Sequence, residues 1–186
     1  MSAAADPRER SIEDTRRWVE RAVIGLNLCP FAKAVHVKGQ VHYAVTQAAD
    51  FAPALEALEQ EAADLLARPD SERDTTLLVL PRGFEDFLLF HQLVTEAERL
   101  LVRRGHEGAL QLASFHPRFV FAGAEEDDPA NWTNRAPWPT LQLLREASVE
   151  RGVAAIPDPE AIYGANIETL RRLGRQGWDA LGVGPS

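Results

Sequence analysis

The residues best suited to chemistry are concentrated between Ser114 and Pro139, in SFHPRFVFAGAEEDDPANWTNRAPWP. His116 stands between Phe115 and Pro117. An unperturbed imidazole titrates near 6.5, which suits general acid or base work. Pro117 confines the His116 backbone to extended geometry, so the ring is held at a defined place. The alternative role is structural: a polar residue at a strand end that bonds a backbone carbonyl. Asn134 and Arg135 precede Pro137-Trp138-Pro139, where two prolines stiffen the segment around an anchoring indole. With a helix beginning near Thr140, Arg135 is presented beside free helix N–H groups, an arrangement that binds carboxylate or phosphate. Asn134 then orients the anion. The competing role for Arg135 is a tie to Glu125-Glu126-Asp127-Asp128, a run that is otherwise a solvated face.

Three further residues join these candidates. Arg82 follows an apolar run ending at Pro81 and is a second anion ligand if its loop shares an edge with His116. Arg145 is another: adjacent residues on a helix point about 100° apart, so only one of Arg145 and Glu146 faces the site, and Arg145 is assigned inward. Cys29 is the lone thiol. It is a candidate nucleophile if it lies within hydrogen-bond reach of His116, and a small buried hydrophobe otherwise. A helix C-terminus does not activate a thiol, whereas a helix beginning at Pro30 would place Cys29 at its N-cap. Asp127 or Asp128 with His116 is the one metal-ligand combination on offer. No H-x-x-x-H or C-x-x-C spacing supports it, so no metal is assigned. No cofactor is assigned either. The other four histidines stand without chemical company.

These residues need elements to position them. Val19, Ala22, Val23 and Leu26 recur at helical spacing, predicting a helix over residues 12–27, with Ser11 and Asp14 as its capping box. Residues 1–10 read as a disordered tail. Val41–Thr46 alternates as a strand. Asp50 caps a helix carrying Phe51, Leu55, Leu58, Ala62 and Leu65. Thr75–Leu80 is a strand apolar enough to be buried on both faces. A long helix runs from Phe84 to Arg104, and Ala109–Phe115 is a third strand. Pro139 introduces a helix over Leu141–Arg151. Asp158-Pro159-Glu160 starts the next, which ends near Gly174, with 176–186 as a C-terminal tail. The alternation predicts a single α/β domain over 11–175, with a mixed or mainly parallel small sheet on a β-α-β-α-β core flanked by helices. The alternative is a ferredoxin-like α+β sandwich with another strand near Val153–Ile156. In an open α/β sheet, ligands sit beyond the carboxyl ends of the strands, here Gln47–Asp50, Pro81–Glu85 and His116 onward.

Composition bounds the partners. The chain has 186 residues, 45% of them hydrophobic, and a formal net charge of -8, which disfavours a general nucleic-acid binder. Apolar runs are too short to span a membrane, and the N-terminus lacks a secretory h-region. One cysteine forms no intrachain disulfide, in keeping with a reducing cytoplasm. Asn131-Trp132-Thr133 is an accidental sequon on that reading.

Several segments together resemble a bacterial family of uncharacterised proteins, the domain-of-unknown-function 1415 family. They are GLNLCPFAK (25–33), TTLLVLP (75–81), SFHP (114–117), the acidic pair at 127–128, NWTNRAPWP (131–139) and LLREAS (143–148). The resemblance extends over about residues 12–175. It implies no activity, but it implies that Cys29, His116, Asn134, Arg135 and Arg145 are family features. It also leads one to expect a histidine where this chain has Gln142, so a metal or base role at that place is lost. The expectation from residues and resemblance is a small cytoplasmic enzyme or enzyme-like protein that binds an anionic metabolite. Arg135, with Arg82 or Arg145, holds the anion, and His116 acts as acid or base. The alternative is a non-catalytic ligand-binding or interaction module that uses the Trp/Pro-rich loop 130–139. Trp138 is expected to be largely buried.

Overall fold

The computed structural model describes residues 6–186. Helix α1 (Pro7–Trp18) starts where Asp6 accepts from the Arg8 N–H and Pro7 takes the first helical position. It therefore begins inside the segment read as a tail; residues 1–5 lie outside the described residues. The expected capping box does not form. Ser11 donates to the Pro7 carbonyl, and the wholly buried Asp14 bonds Arg17, the Trp138 indole N–H and the Ser186 N–H. The helix continues as a π-helical segment, Val19–Ile24, with Gly25 N–H reaching the Glu20 carbonyl. Asn27, at φ 53°, then turns the chain toward the short helix α2 (Ala32–Val37).

The sheet has four strands: β1 (Val41–Val45), β2 (Thr75–Val79), β3 (Leu110–Phe115) and β4 (Thr140–Arg145), in the order β1-β2-β4-β3. β1 and β2 are parallel, while β4 runs antiparallel to both β2 and β3. β1, β2 and β3 thus share one direction, and α3 (Phe51–Leu66) and α4 (Phe87–Arg103) link them. This is the mixed sheet on a β-α-β-α-β core. The chain order β-α-β-α-β-β is not the β-α-β-β-α-β of a ferredoxin-like sandwich. No strand occupies Val153–Ile156.

The predicted helix over Leu141–Arg151 is corrected. Its first part is β4, an interior strand, and helix α5 (Glu146–Ala154) begins only after Arg145. In TLQLLR the apolar residues satisfy both periods, a known ambiguity of short runs. Burial decides it: Leu141 and Leu143 are 0% exposed as strand residues. Each such burial contributes about 1.5–3 kcal/mol, against less than about 1 kcal/mol per residue for helix propensity. α4 likewise starts at Phe87, capped by Asp86, rather than at Phe84.

The two faces of the sheet are covered unequally. α3 and α4 pack Leu58, Leu65, Phe90 and Leu93 onto Leu78, Leu141 and Leu143. On the second face, Trp18, Val19 and Ala22 meet Leu77, Ala136 and Val183. Helix α6 (Ala161–Ala180) kinks at Gly174, the residue where the sequence ends it, and continues so that Trp178 stacks on Trp132 at 5.6 Å. The segment read as a C-terminal tail is therefore part of the packing, with Val183 buried.

Candidate ligand-binding site

Strand alternation sends Val41, Thr75, Leu77, Gln142, Ala113 and Phe115 to the second face of the sheet. α1 covers only part of that face. Over the remainder lies a cavity of about 420 Å³. One wall is the chain from Trp18 to Val35, including the π-helical segment and the Leu28-Cys29 turn. π-helical turns recur at functional sites because they shift side chains out of helical register. The opposite wall is α5, through Ser148 and Val149, and Thr133 and Asn134 close one end. Ala113, small and set between Gln111 and Phe115 on β3, leaves room on the floor. Phe31 lies against Gly152, where an added Cβ would come within 2.6 Å of its ring, so any larger residue at 152 would displace the Phe31 side chain where the α2 arm meets α5. Asn166, from α6, fixes the base of the arm by donating to the Leu28 carbonyl at 2.8 Å.

The polar groups of the cavity are few. Gln142 Nε2 donates to Thr75 Oγ1 at 3.0 Å, and Thr75 donates in turn to the Leu143 carbonyl at 2.7 Å. Asn134 Nδ2 donates to the Ser114 carbonyl at 3.1 Å. Ser148 donates to Asp74 at 2.5 Å at the far end. Cys29 is half-buried on the wall. α2 begins at Ala32, so Cys29 is not its N-cap; its carbonyl accepts the Ala32 N–H at 3.2 Å. The Trp18 indole N–H, also in the wall, is covered and has no partner among the described residues.

The expected site residues divide between this cavity and another region. Cys29, Asn134 and Arg145 line the cavity. The guanidinium of Arg145, however, bonds the carbonyls of Leu65, Arg68 and Arg73 from the end of β4. His116 and Arg82 do share the carboxyl edge of β1–β3, but the cavity lies over the sheet face instead. His116 is 0% exposed on the α4 side, packed against Phe87 and Phe90. Nε2–H donates to the Phe84 carbonyl at 2.9 Å, and Nδ1 accepts from the Arg118 N–H at 3.0 Å. Burial lowers its pKa below the ordinary 6.5, so the neutral ring is the resident form. Arg82 is exposed in the turn. Arg135 donates to the carbonyls of Phe119, at 3.1 Å, and Glu126, at 2.6 Å; it ties the loop through backbone oxygens rather than through the carboxylates at 125–128. Trp132 is buried, and Trp138 is mostly covered without being fully buried. Cys29, His116 and Arg135 do not converge.

The profile of a family described as a protein of unknown function (DUF1415) matches residues 10–180. The chain belongs to the DUF1415 family. No curated protein and no solved structure gives a significant match. In this DUF1415 chain, Gln142, at the place where the family resemblance leads one to expect histidine, stands on the cavity floor. Among the described residues no group of three or more His, Cys, Asp or Glu is placed to hold a metal ion, and no helix is long and apolar enough to cross a membrane. Sequence reasoning missed Thr75 and Ala113 as site residues. Their signal was available as a polar residue beside Leu77 on one face of β2 and a small residue between Gln111 and Phe115 on β3.

Proposed function

We propose that this DUF1415 protein binds a small, mainly apolar molecule in the cavity between the sheet and the α1–α2 arm. The observation that carries this reading is the uncovered sheet face. A sheet face is normally buried against another layer, yet a pocket of about 420 Å³ lies over the middle of this four-stranded sheet. That size falls in the ~300–1,000 Å³ range of small-molecule sites. Cys29 is the one strong nucleophile type on the wall, and His116 is not among the lining residues, so binding has more support than covalent catalysis. An anionic metabolite held by Arg135 and His116 has less support, because both side chains are engaged by backbone groups. The interaction-module reading has less still, since Trp132 is buried and the Trp138 indole N–H bonds Asp14. A cytoplasmic setting belongs to the same proposal and is supported by the single, unpaired cysteine.

The test is to fill the floor. The neutral fluorophore N-phenyl-1-naphthylamine is expected to bind the native protein with enhanced, blue-shifted emission, and to protect Cys29 from alkylation. Ala113→Phe should abolish both effects while leaving the far-ultraviolet circular dichroism unchanged. Undiminished binding by a folded Ala113→Phe variant would remove the cavity from consideration.

A further inference from the structure

The hydrogen bonds around the cavity fix which end of each amide faces the ligand. Thr75 has one hydroxyl hydrogen, and the Leu143 carbonyl takes it. Thr75 Oγ1 can then only accept, so Gln142 must present its nitrogen there, leaving its carbonyl oxygen as the free end. The same logic holds for Asn134. Its nitrogen meets the Ser114 carbonyl, an acceptor, so its carbonyl oxygen is turned away. Among the described residues neither oxygen receives a protein donor, and both side chains line the cavity. They flank one place on the floor: Gln142 pairs across from Ala113, and Asn134 bonds the next residue, Ser114.

Charge narrows the choice. The lining contains one cation, Arg145, whose guanidinium is held by three backbone carbonyls, and one carboxylate, Asp74, bonded to Ser148 at the far end. An anion would meet two amide acceptors, no available positive group and one neutral donor, the Trp18 indole N–H, which the carbonyl oxygen of a neutral amide can also engage. A pure hydrocarbon would bury two amide oxygens without donors, a loss of roughly tenfold in affinity. A cationic amine would bring a full charge into mainly apolar walls, with its one counter-charge already bonded.

On the reading that this cavity is the ligand site, we propose that it selects an uncharged molecule with an apolar body and an N–H donor. Carboxamides are the simplest class, read by the carbonyl oxygens of Gln142 and Asn134. Thr75 and Ser114 act as positioning residues that keep those oxygens forward. A site built around unpaired acceptors discriminates strongly against ligands that lack the matching donor.

Four size-matched probes test this on the full-length protein: benzamide, toluene, benzoate and benzylamine, each titrated while ¹⁵N–¹H spectra are recorded. Benzamide should shift the backbone signals of Ala113, Asn134 and Gln142, and should bind roughly tenfold more tightly than toluene, with benzoate weakest. Gln142→Met keeps the side-chain length and removes the acceptor. It should erase most of the benzamide advantage and leave toluene binding unchanged or stronger; Gln142→Leu serves if that variant folds poorly. Toluene binding as tightly as benzamide, or benzoate or benzylamine binding most tightly, overturns the amide assignment and leaves the cavity reading standing. So does an unchanged benzamide-to-toluene ratio in the Gln142 variants. If no probe shifts cavity signals, the cavity reading falls and this inference falls with it.

Discussion

The carboxyl edge of β3 and the open face of the sheet are built from similar residues and use them in opposite ways. At the edge, both His116 nitrogens, the Asn131 amide and two nitrogens of Arg135 bond backbone groups of the β2–α4 connection and of the loop after β3. On the face, the side chains of Gln142 and Asn134 bond other described residues only through nitrogen. The first region is closed upon itself, and the second is left with free acceptors. The density of polar residues in a stretch therefore does not mark a site; what marks it is which of their atoms the fold leaves without partners.

The sharpest way to break this comparison is to remove the centre of the closed region. His116→Ala should lower stability by about 3–4 kcal/mol, since it leaves a void between Phe87 and Phe90 and strands the Phe84 carbonyl and the Arg118 N–H. A loss below about 1 kcal/mol in urea titrations would show that the ring is not structural. Next in size is Arg135→Lys. Lysine cannot reproduce two differently directed N–H bonds, so a stability loss of about 1–2 kcal/mol is expected, with fluorophore binding in the cavity unchanged. Loss of binding at unchanged melting temperature would restore Arg135 as a ligand residue.

Acid provides a smaller effect. Burial holds the His116 pKa below its ordinary value, so the folded protein takes up the proton less readily than the unfolded chain. Stability is then full above about pH 6.5 and declines as pH falls from there toward the depressed folded value. His42 contributes in the same direction, its pKa lowered by burial and then by Arg73. Melting temperatures from pH 7.5 to 5 should therefore fall in the wild type and fall less steeply, but still fall, in His42→Gln. A flat profile in that variant would mean that His116 is not held neutral. Smallest of all on stability is Ala113→Phe, expected within about 1 kcal/mol of wild type, below the cost of overpacking a filled core, because the ring enters a void. This contrast of small stability change with complete loss of fluorophore binding is what separates the open face from the closed edge.

Much of the fold was legible because period and punctuation agreed. Val41–Val45 alternates, Gly105 closes α4, and Thr75–Val79 is buried on both faces as its composition implied, whereas the Asp86 cap that starts α4 was not read. β4 was not legible, because Leu141, Leu143 and Leu144 satisfy helix and strand templates alike and only the facing strands choose between them. That one error moved Arg145 from a helix face to a strand end and hid Gln142 from the floor of the cavity. Cys29 and Asn134 were legible as site candidates from their setting, but the groups they stand beside were not. Asn131 and Asn166 gave no signal: a buried asparagine that bonds a distant carbonyl reads like any loop or helix asparagine.

The placement of β4 also sets the order in which the molecule can be made. It is last of the strands to leave the ribosome, yet it joins β2 to β3, and the bond from Thr75 to the Leu143 carbonyl closes a separation of 68 positions. Until it arrives, β3 has no partner in the sheet and the β1–β2 pair has an unprotected edge. Such long-range closure makes folding slow and leaves nascent chains open to wrong pairing. Weakening β4 should therefore slow refolding, whereas weakening β1, at the sheet's margin, should mainly speed unfolding. The strand that carries Gln142 is thus also the keystone of the sheet, and changes that retune the cavity there act on how fast the chain matures.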